Sequence, residues 1–435
     1  MLINLAFTAR RVFGLATPTL FVKAAACLAL LLCMAWFGRL HFYRDPGSVF
    51  FDKDRAYETH YSAHRRVEAQ QFIDAFDNGT KSYVNGTSQF ASHESGSNKS
   101  LCVAFSSVKR QTQYLQTTIA TLLHGLTARE QADLHVSVLI AETDPTRHPS
   151  WHQEWIRRAV DDFYTYEVNA TEKAHLQQLE EAGQYSEKGM FDYAYALQRC
   201  YETGALYVGM FEDDVIMARG WLVRTLLGLQ HISGLEDDDK SWLFMRLFNQ
   251  ERSTGWASHD IGGNHEHWII VGIGIGISAT VLLARRRWLL ARQHLDIESL
   301  LVTVVILVPG LVILFYQSGK ASLLPPSPGV FNEPFGCCSQ AMVFPRAQIP
   351  LLLETMRAKI KGQVDLLLDE IAIRNNLERY ALYPVQAQHI GIESARKTAK
   401  TEAQAIWSMA FEDLDPARLE RDQLEMVERY YGWEE

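Results

Sequence analysis

ALYVGMFEDDV, residues 205–215, runs from an apolar strand directly into three consecutive carboxylates, Glu212, Asp213 and Asp214. Open α/β sheets bind ligands beyond the carboxyl ends of their strands. Carboxylates crowded there repel one another and resist desolvation unless a cation neutralises them. A hard divalent cation, shared between one or two carboxylates and substrate phosphates, suits the position and stabilises a diphosphate as a leaving group. The stretch therefore predicts an α/β sheet with a cation-dependent site at its edge.

Outward from there, LCVAFSS (101–107) is a buried strand, Gln113–Leu126 has helical spacing, and LHVSVLIAE (134–142) is a second strand. Strand, helix, strand describes a βαβ unit with a parallel sheet. Helices are expected over Phe191–Thr203 and Trp221–Ile232, on either side of the acidic strand. WLFMRLF (242–248) and Ala341–Phe344 are strand-like, and Gln348–Lys361 and Val364–Asn375 are helical. Residues 76–100, rich in Asn, Gly and Ser, read as an exposed, poorly ordered stem, with order beginning at Leu101.

Three apolar segments interrupt this pattern. Val12–Phe37 reads as a retained signal anchor, with Lys23 snorkelling toward the headgroups. A cleaved signal peptide is the competing reading, but no clear small-residue cleavage site follows Phe37. WIIVGIGIGISATVLLA (268–284) and SLLVTVVILVPGLVILFY (299–316) form a membrane hairpin. Gly272, Gly274 and Gly276 suit close helix approach, and Pro309-Gly310 is expected to kink the last helix. The link holds Arg285, Arg286, Arg287 and Arg292, so the positive-inside rule places it in the cytosol. The four N-x-Ser/Thr sequons, at Asn78, Asn85, Asn98 and Asn169, all lie between the first two segments, which assigns that block to the lumen. The expected order is a cytosolic tail (1–11), signal anchor (12–38), luminal stem (39–100), first part of the catalytic domain (101–266), hairpin (267–317), second part (318–395) and a C-terminal helical tail (396–435). Neither luminal block is complete alone. One domain interrupted by a hairpin is the simplest architecture; two separate soluble domains are the alternative.

The 435 residues carry 42 Lys+Arg against 51 Asp+Glu, a net charge of -9, which argues against a nucleic-acid partner. Ten Trp, 17 Tyr and 21 Phe exclude a mostly disordered chain. Cys102, Cys200, Cys337 and Cys338 are an even number in an oxidising compartment. A bridge from the vicinal Cys337-Cys338 pair to Cys102 and Cys200 is one arrangement open to them. Lys109 and Arg110 follow the first strand, placed to meet phosphates, and Glu142 and Asp144 end the second. Asp365, Asp369 and Glu370 lie on one helix, the first two on a shared face, and are candidates for a general base. His389 is a candidate metal ligand. No G-x-S-x-G, H-E-x-x-H or P-loop motif occurs.

CVAFSSVKR (102–110), VLIAETD (138–144), KGMFDYAYAL (188–197), YVGMFEDDV (207–215), VDLLLDE (364–370) and QHIG (388–391) together resemble a Golgi glycosyltransferase of the GT-A type. Their order is similar to the N-acetylglucosaminyltransferase IV family. The three-span layout, with a hairpin splitting the catalytic domain, resembles the GPI-anchor N-acetylgalactosamine transferase family (post-GPI-attachment-to-proteins factor 4). The resemblance implies a Rossmann-like mixed sheet of GT-A type, interrupted by the hairpin, on the luminal side of a multi-pass Golgi membrane protein. It also implies a UDP-sugar donor, Mn²⁺, and inverting transfer of N-acetylgalactosamine to a mannose of the GPI glycan. By the same resemblance Asp213 and Asp214, with Glu212 beside them, hold the metal and the donor diphosphate, and His389 completes the contact. Ser107, Lys109 and Arg110 border the nucleotide, Glu142 and Asp144 its ribose or base. Lys188, Asp192 and Tyr193 approach the donor, and Asp365, then Asp369 and Glu370, are the candidate bases. The alternatives are a related hexosaminyl- or hexosyltransferase acting on N-glycans or glycolipids, and an inactive membrane-tethered glycan-binding protein.

Overall fold

The computed structural model describes residues 17–79, 99–235, 241–251, 255–256, 265–333, 338–391 and 406–432. It has two compact units, residues 58–253 with 326–435, and residues 1–57 with 254–325.

The larger unit is built on β1 (Leu101–Ser107), β2 (Leu134–Ile140), β3 (Asp162–Tyr164), β4 (Tyr207–Phe211), β5 (Val215–Met217) and β6 (Trp242–Arg246), then β7 (Gly329–Asn332), β8 (Ala341–Pro345), β9 (Glu378–Tyr383) and β10 (Ala387–His389). Eight of these form a sheet in the order β3-β2-β1-β4-β8-β6-β9-β7. The first four run parallel, while β8 lies antiparallel between β4 and β6. Strands from before and after the hairpin thus alternate across the middle of one mixed sheet, giving a GT-A-like α/β domain with the hairpin inserted between β6 and β7.

The strands are apolar at nearly every position because both faces are covered. Side-chain alternation sends Leu101, Val103 and Phe105 into one core and Cys102 and Ala104 into the other. Cys102 is disulfide-bonded to Cys200 on the helix Tyr185–Glu202. The vicinal pair therefore does not bridge to these two. Cys338 is also disulfide-bonded, and Cys337 lies outside the described residues. Closing a loop of 98 residues removes about 4–5 kcal/mol of denatured-chain freedom in the chain-entropy account.

Two segments extend the domain beyond the expected boundaries. The helix Tyr61–Asp77 buries Tyr61, Phe72, Ile73 and Phe76 in the same core as Trp155, so order precedes Leu101. Each such aromatic contributes about 1.5–3 kcal/mol on burial, which a flexible stem could not supply. The helix Pro416–Tyr431 buries Leu419 and Val427, and the Gln423 amide donates to Glu130 Oε2 at 2.8 Å. Asn78 and Asn169 are exposed, Asn169 capping the helix Ala170–Ala182; Asn85 and Asn98 lie outside the described residues.

Among the described residues the smaller unit contains three helices long and apolar enough to cross a membrane, Pro18–His41, Glu266–Arg287 and Ile297–Gln317. Lys23 is ion-paired near the start of its helix. Its ammonium lies 2.8 Å from Asp296 and 3.6 Å from Glu298, and Glu298 also accepts from Thr17 and Thr19. The start of the first helix and the Arg-rich link are therefore at one end of this unit. At the other end, Val49 N donates to Gln317 O and Ser322 N to Asp45 Oδ2, each at 2.8 Å. Only Gly274 of the three glycines faces a neighbour, Val304; Gly272 and Gly276 face open space, because residues two apart on a helix point to different sides. Pro309 is accommodated by a π-turn over Thr303–Leu307.

Candidate active site

The acidic motif leaves β4 at the middle of the sheet. The next strand, β5, forms a separate two-stranded antiparallel ladder with β10, with Val215 opposite His389. Ile390 N then donates to Asp214 O at 2.9 Å. This ladder carries His389 to the carboxylates from 175 positions further along the chain (389 − 214 = 175). One ligand atom each from Glu212, Asp214 and His389 lie within 4.8 Å of one another. His389 Nε2 is 3.6 Å from Asp214 Oδ2, and Ser339 Oγ donates to Glu212 Oε1 at 2.8 Å.

These groups fit a divalent cation. Asp214 Oδ1 is buried and has no hydrogen-bond partner, and two carboxylates with one imidazole form a donor set dominated by hard oxygen. Burial raises Glu212, and the Asp214 charge raises it further. Burial also opposes the charge on Asp214, but His389 and Arg110 outweigh it and hold that carboxyl well below the usual range. Burial opposes the His389 charge too, and Asp214 overcomes it, raising the imidazole.

Asp213, to which the resemblance gives a share in the metal, is not in this cluster. It points the other way, to Ser107 Oγ and an Arg110 N–H, while Thr118 Oγ1 donates to its backbone oxygen at 2.9 Å. Arg110 spans the motif, its other arm donating to Asp214 Oδ2 at 2.5 Å. Burial, opposed by Arg110, leaves Asp213 pushed up to about 6. Ser107 is fully buried behind Asp213 rather than bordering the cavity. His148 Nδ1 accepts from Ser150 N, so its proton sits on Nε2 and donates to Ser107 Oγ at 3.1 Å. Burial lowers this imidazole to about 4 and keeps it neutral.

A cavity of about 410 Å³ opens over the motif, lined by Glu212, Asp213, Asp214, Arg110 and His389, and also by Lys188, Asp192, Tyr193, Gln340 and Asp365. Lys188 is committed within the wall: its ammonium donates to Ala141 O and Tyr166 Oη at 2.7 Å and to Asp192 Oδ2 at 2.9 Å. Tyr193 Oη and Gln340 Oε1 are buried without partners. Lys109, Glu142 and Asp144 do not line the cavity. Glu142 accepts from Lys109 N, and Asp144 caps its own turn through Thr146. Asp365 is the one candidate base that reaches the cavity. Asp369 pairs with Arg379 at 2.5 Å, and Glu370 pairs with Lys359 and Arg374.

Gln340, Ser339, Thr118, His148 and Gly391 were not legible as site residues. A Cβ on Gly391 would overlap Asp214 Oδ2 and lie 3.0 Å from His389 Nε2. Gly391→Ala is therefore expected to weaken Mn²⁺ binding about tenfold or more by displacing a ligand, with little change in melting temperature. Electron paramagnetic resonance titration of Mn²⁺, beside a thermal melt, checks this.

A family model described as GPI-N-acetylgalactosamine transferase PGAP4 matches residues 101–386. A search of curated proteins found no match. The matched block runs from the first residue of β1 through β9 and includes both sides of the membrane hairpin. Since that block covers most of the chain and contains the acidic motif and Asp365, the chain belongs to the GPI-N-acetylgalactosamine transferase PGAP4 family, and with it to the glycosyltransferases.

Proposed function

We propose that this protein transfers N-acetylgalactosamine from UDP-N-acetylgalactosamine to a mannose of the GPI glycan, by a cation-dependent, inverting displacement in the Golgi lumen. The observation that carries the reading is one cavity lined by both the Glu212–Asp214–His389 cluster and Asp365. Glu212, Asp214 and His389 would hold Mn²⁺, which when bound supplies Lewis-acid stabilisation to the departing diphosphate. Arg110 pairs with both Asp213 and Asp214, offsets their mutual repulsion and adds positive charge where phosphates arrive. Asp365 accepts the proton of the attacking acceptor hydroxyl, the single base that an inverting transfer requires. The luminal placement is supported by the four sequons and by the shared end of the N-terminal helix and the Arg-rich link. Membrane lipid surrounds the three spans.

Purified full-length protein is expected to release UDP from UDP-N-acetylgalactosamine in a Mn²⁺-dependent manner. Deleting the gene is expected to remove one N-acetylhexosamine from released GPI glycans, read by mass spectrometry. An unchanged GPI side chain with altered N-glycans or glycolipids would favour a related hexosaminyltransferase. No UDP release with any donor would leave only a glycan-binding role.

A further inference from the structure

β10 is three residues long and among the described residues its one strand partner is β5, itself three residues long. A two-stranded ladder of that length has little stability of its own, yet it carries His389. Gln386 N and Ala387 N donate to Leu247 O at 2.8 and 3.2 Å, and a second outside support comes from the side chain just before His389. Gln388 is fully buried and uses its whole amide. Its Nε2 donates to Ser408 O at 2.8 Å and to Glu412 Oε1 at 2.9 Å, and its Oε1 accepts from Ser408 N at 3.0 Å. The other oxygen of Glu412 accepts from His60 N at 2.7 Å and Ser62 N at 3.1 Å, at the start of the helix Tyr61–Asp77. Alternation along the strand places Gln388 and His389 on opposite sides, so one side is fixed to the C-terminal segment while the other faces the carboxylates.

We propose that Gln388 and Glu412 are positioning residues for the cation: through the segment Ser408–Glu412 they hold His389 Nε2 against Asp214, and ligation of His389 in turn tightens that segment. The inference rests on reading Glu212, Asp214 and His389 as a cation site. Neither residue lines the cavity, so both act through His389. Groups that orient a metal ligand from outside its coordination sphere shape its affinity strongly.

The test uses the full-length chain in detergent and reads Mn²⁺ affinity by electron paramagnetic resonance, with UDP absent, beside a thermal melt. Gln388→Leu removes all three hydrogen bonds at similar volume. Glu412→Gln turns an amide N–H toward Gln388 Nε2 while keeping an acceptor for His60 N and Ser62 N. In either variant that folds, Mn²⁺ affinity is expected to fall about tenfold. A lower melting temperature with Mn²⁺ affinity unchanged would mean a purely structural role and overturn the proposal. If neither variant folds, hydrogen exchange of the wild-type chain decides. Mn²⁺ is expected to slow exchange at Met409, Ala410 and Phe411, and no slowing overturns the proposal. Wild-type protein that binds no Mn²⁺ would instead overturn the cation site itself and this inference with it.

Discussion

Asp214→Asn is expected to abolish Mn²⁺ binding and to reduce sugar transfer by about 10³-fold, whereas Asp213→Asn keeps measurable Mn²⁺ binding. The two residues are adjacent and look equivalent in sequence, so the contrast follows only from geometry. Asp214 offers an unpartnered buried oxygen and lies with Glu212 and His389. Asp213 spends both oxygens on Ser107 and Arg110. Asparagine preserves the shape of Asp214 and removes its charge. That leaves the Arg110 guanidinium and the His389 imidazole facing each other across a site short of one carboxylate. Removing one partner of a buried ion pair costs about 3–5 kcal/mol, because the other charge is left uncompensated. At position 213 the loss is smaller, since Arg110 retains Asp214. Mn²⁺ titration of the two variants, beside a UDP-release assay, checks the contrast. Equal loss of Mn²⁺ binding in both would show that Asp213 is a ligand after all.

Much of the domain was legible because its strands are buried on both faces. LCVAFSS, LHVSVLI and ALYVGMF are largely apolar runs, the second alternating at its start, and they appear as β1, β2 and β4. The pairing of β8 between β4 and β6 was not legible from strand propensity, because it is set by tertiary contact across the inserted hairpin. β5 and β10 are three residues each, too short for any periodicity, and yet their pairing sets the position of His389. The helix Tyr61–Asp77 was missed for a different reason. The polar residues after it dominated the composition of the region, while Tyr61, Ala69, Phe72, Ile73 and Phe76 carry the helical spacing that buries it. At the site, the carboxylates and His389 stood out by residue type. Gly391 and Gln388 did not, since a missing Cβ and a buried amide leave no signature until their neighbours are known.

Asp365→Asn is expected to lower kcat by about 10²–10⁴-fold, the usual contribution of a general base, with Mn²⁺ and UDP binding retained. The helix Val364–Arg374 puts Asp365 in its first turn. Asp365 borders the cavity that also holds the acidic motif, but it is absent from the group of possible cation ligands. That separation of duties suits the proposed inverting transfer, in which one carboxylate set would face the leaving diphosphate and another would accept the acceptor proton. Asp369 and Glu370 share the helix but are held in ion pairs. Arg379 pairs with Asp369, and Lys359 and Arg374 bracket the exposed end of Glu370. Asp369→Asn is therefore expected to act mainly on stability, and Glu370→Gln on neither quantity to a large degree, because solvent screens exposed ion pairs. Single-turnover measurements separate the cases. Asp365→Asn slows the chemical step while UDP affinity holds, whereas a role in binding would raise the donor KM and leave kcat near that of the wild type.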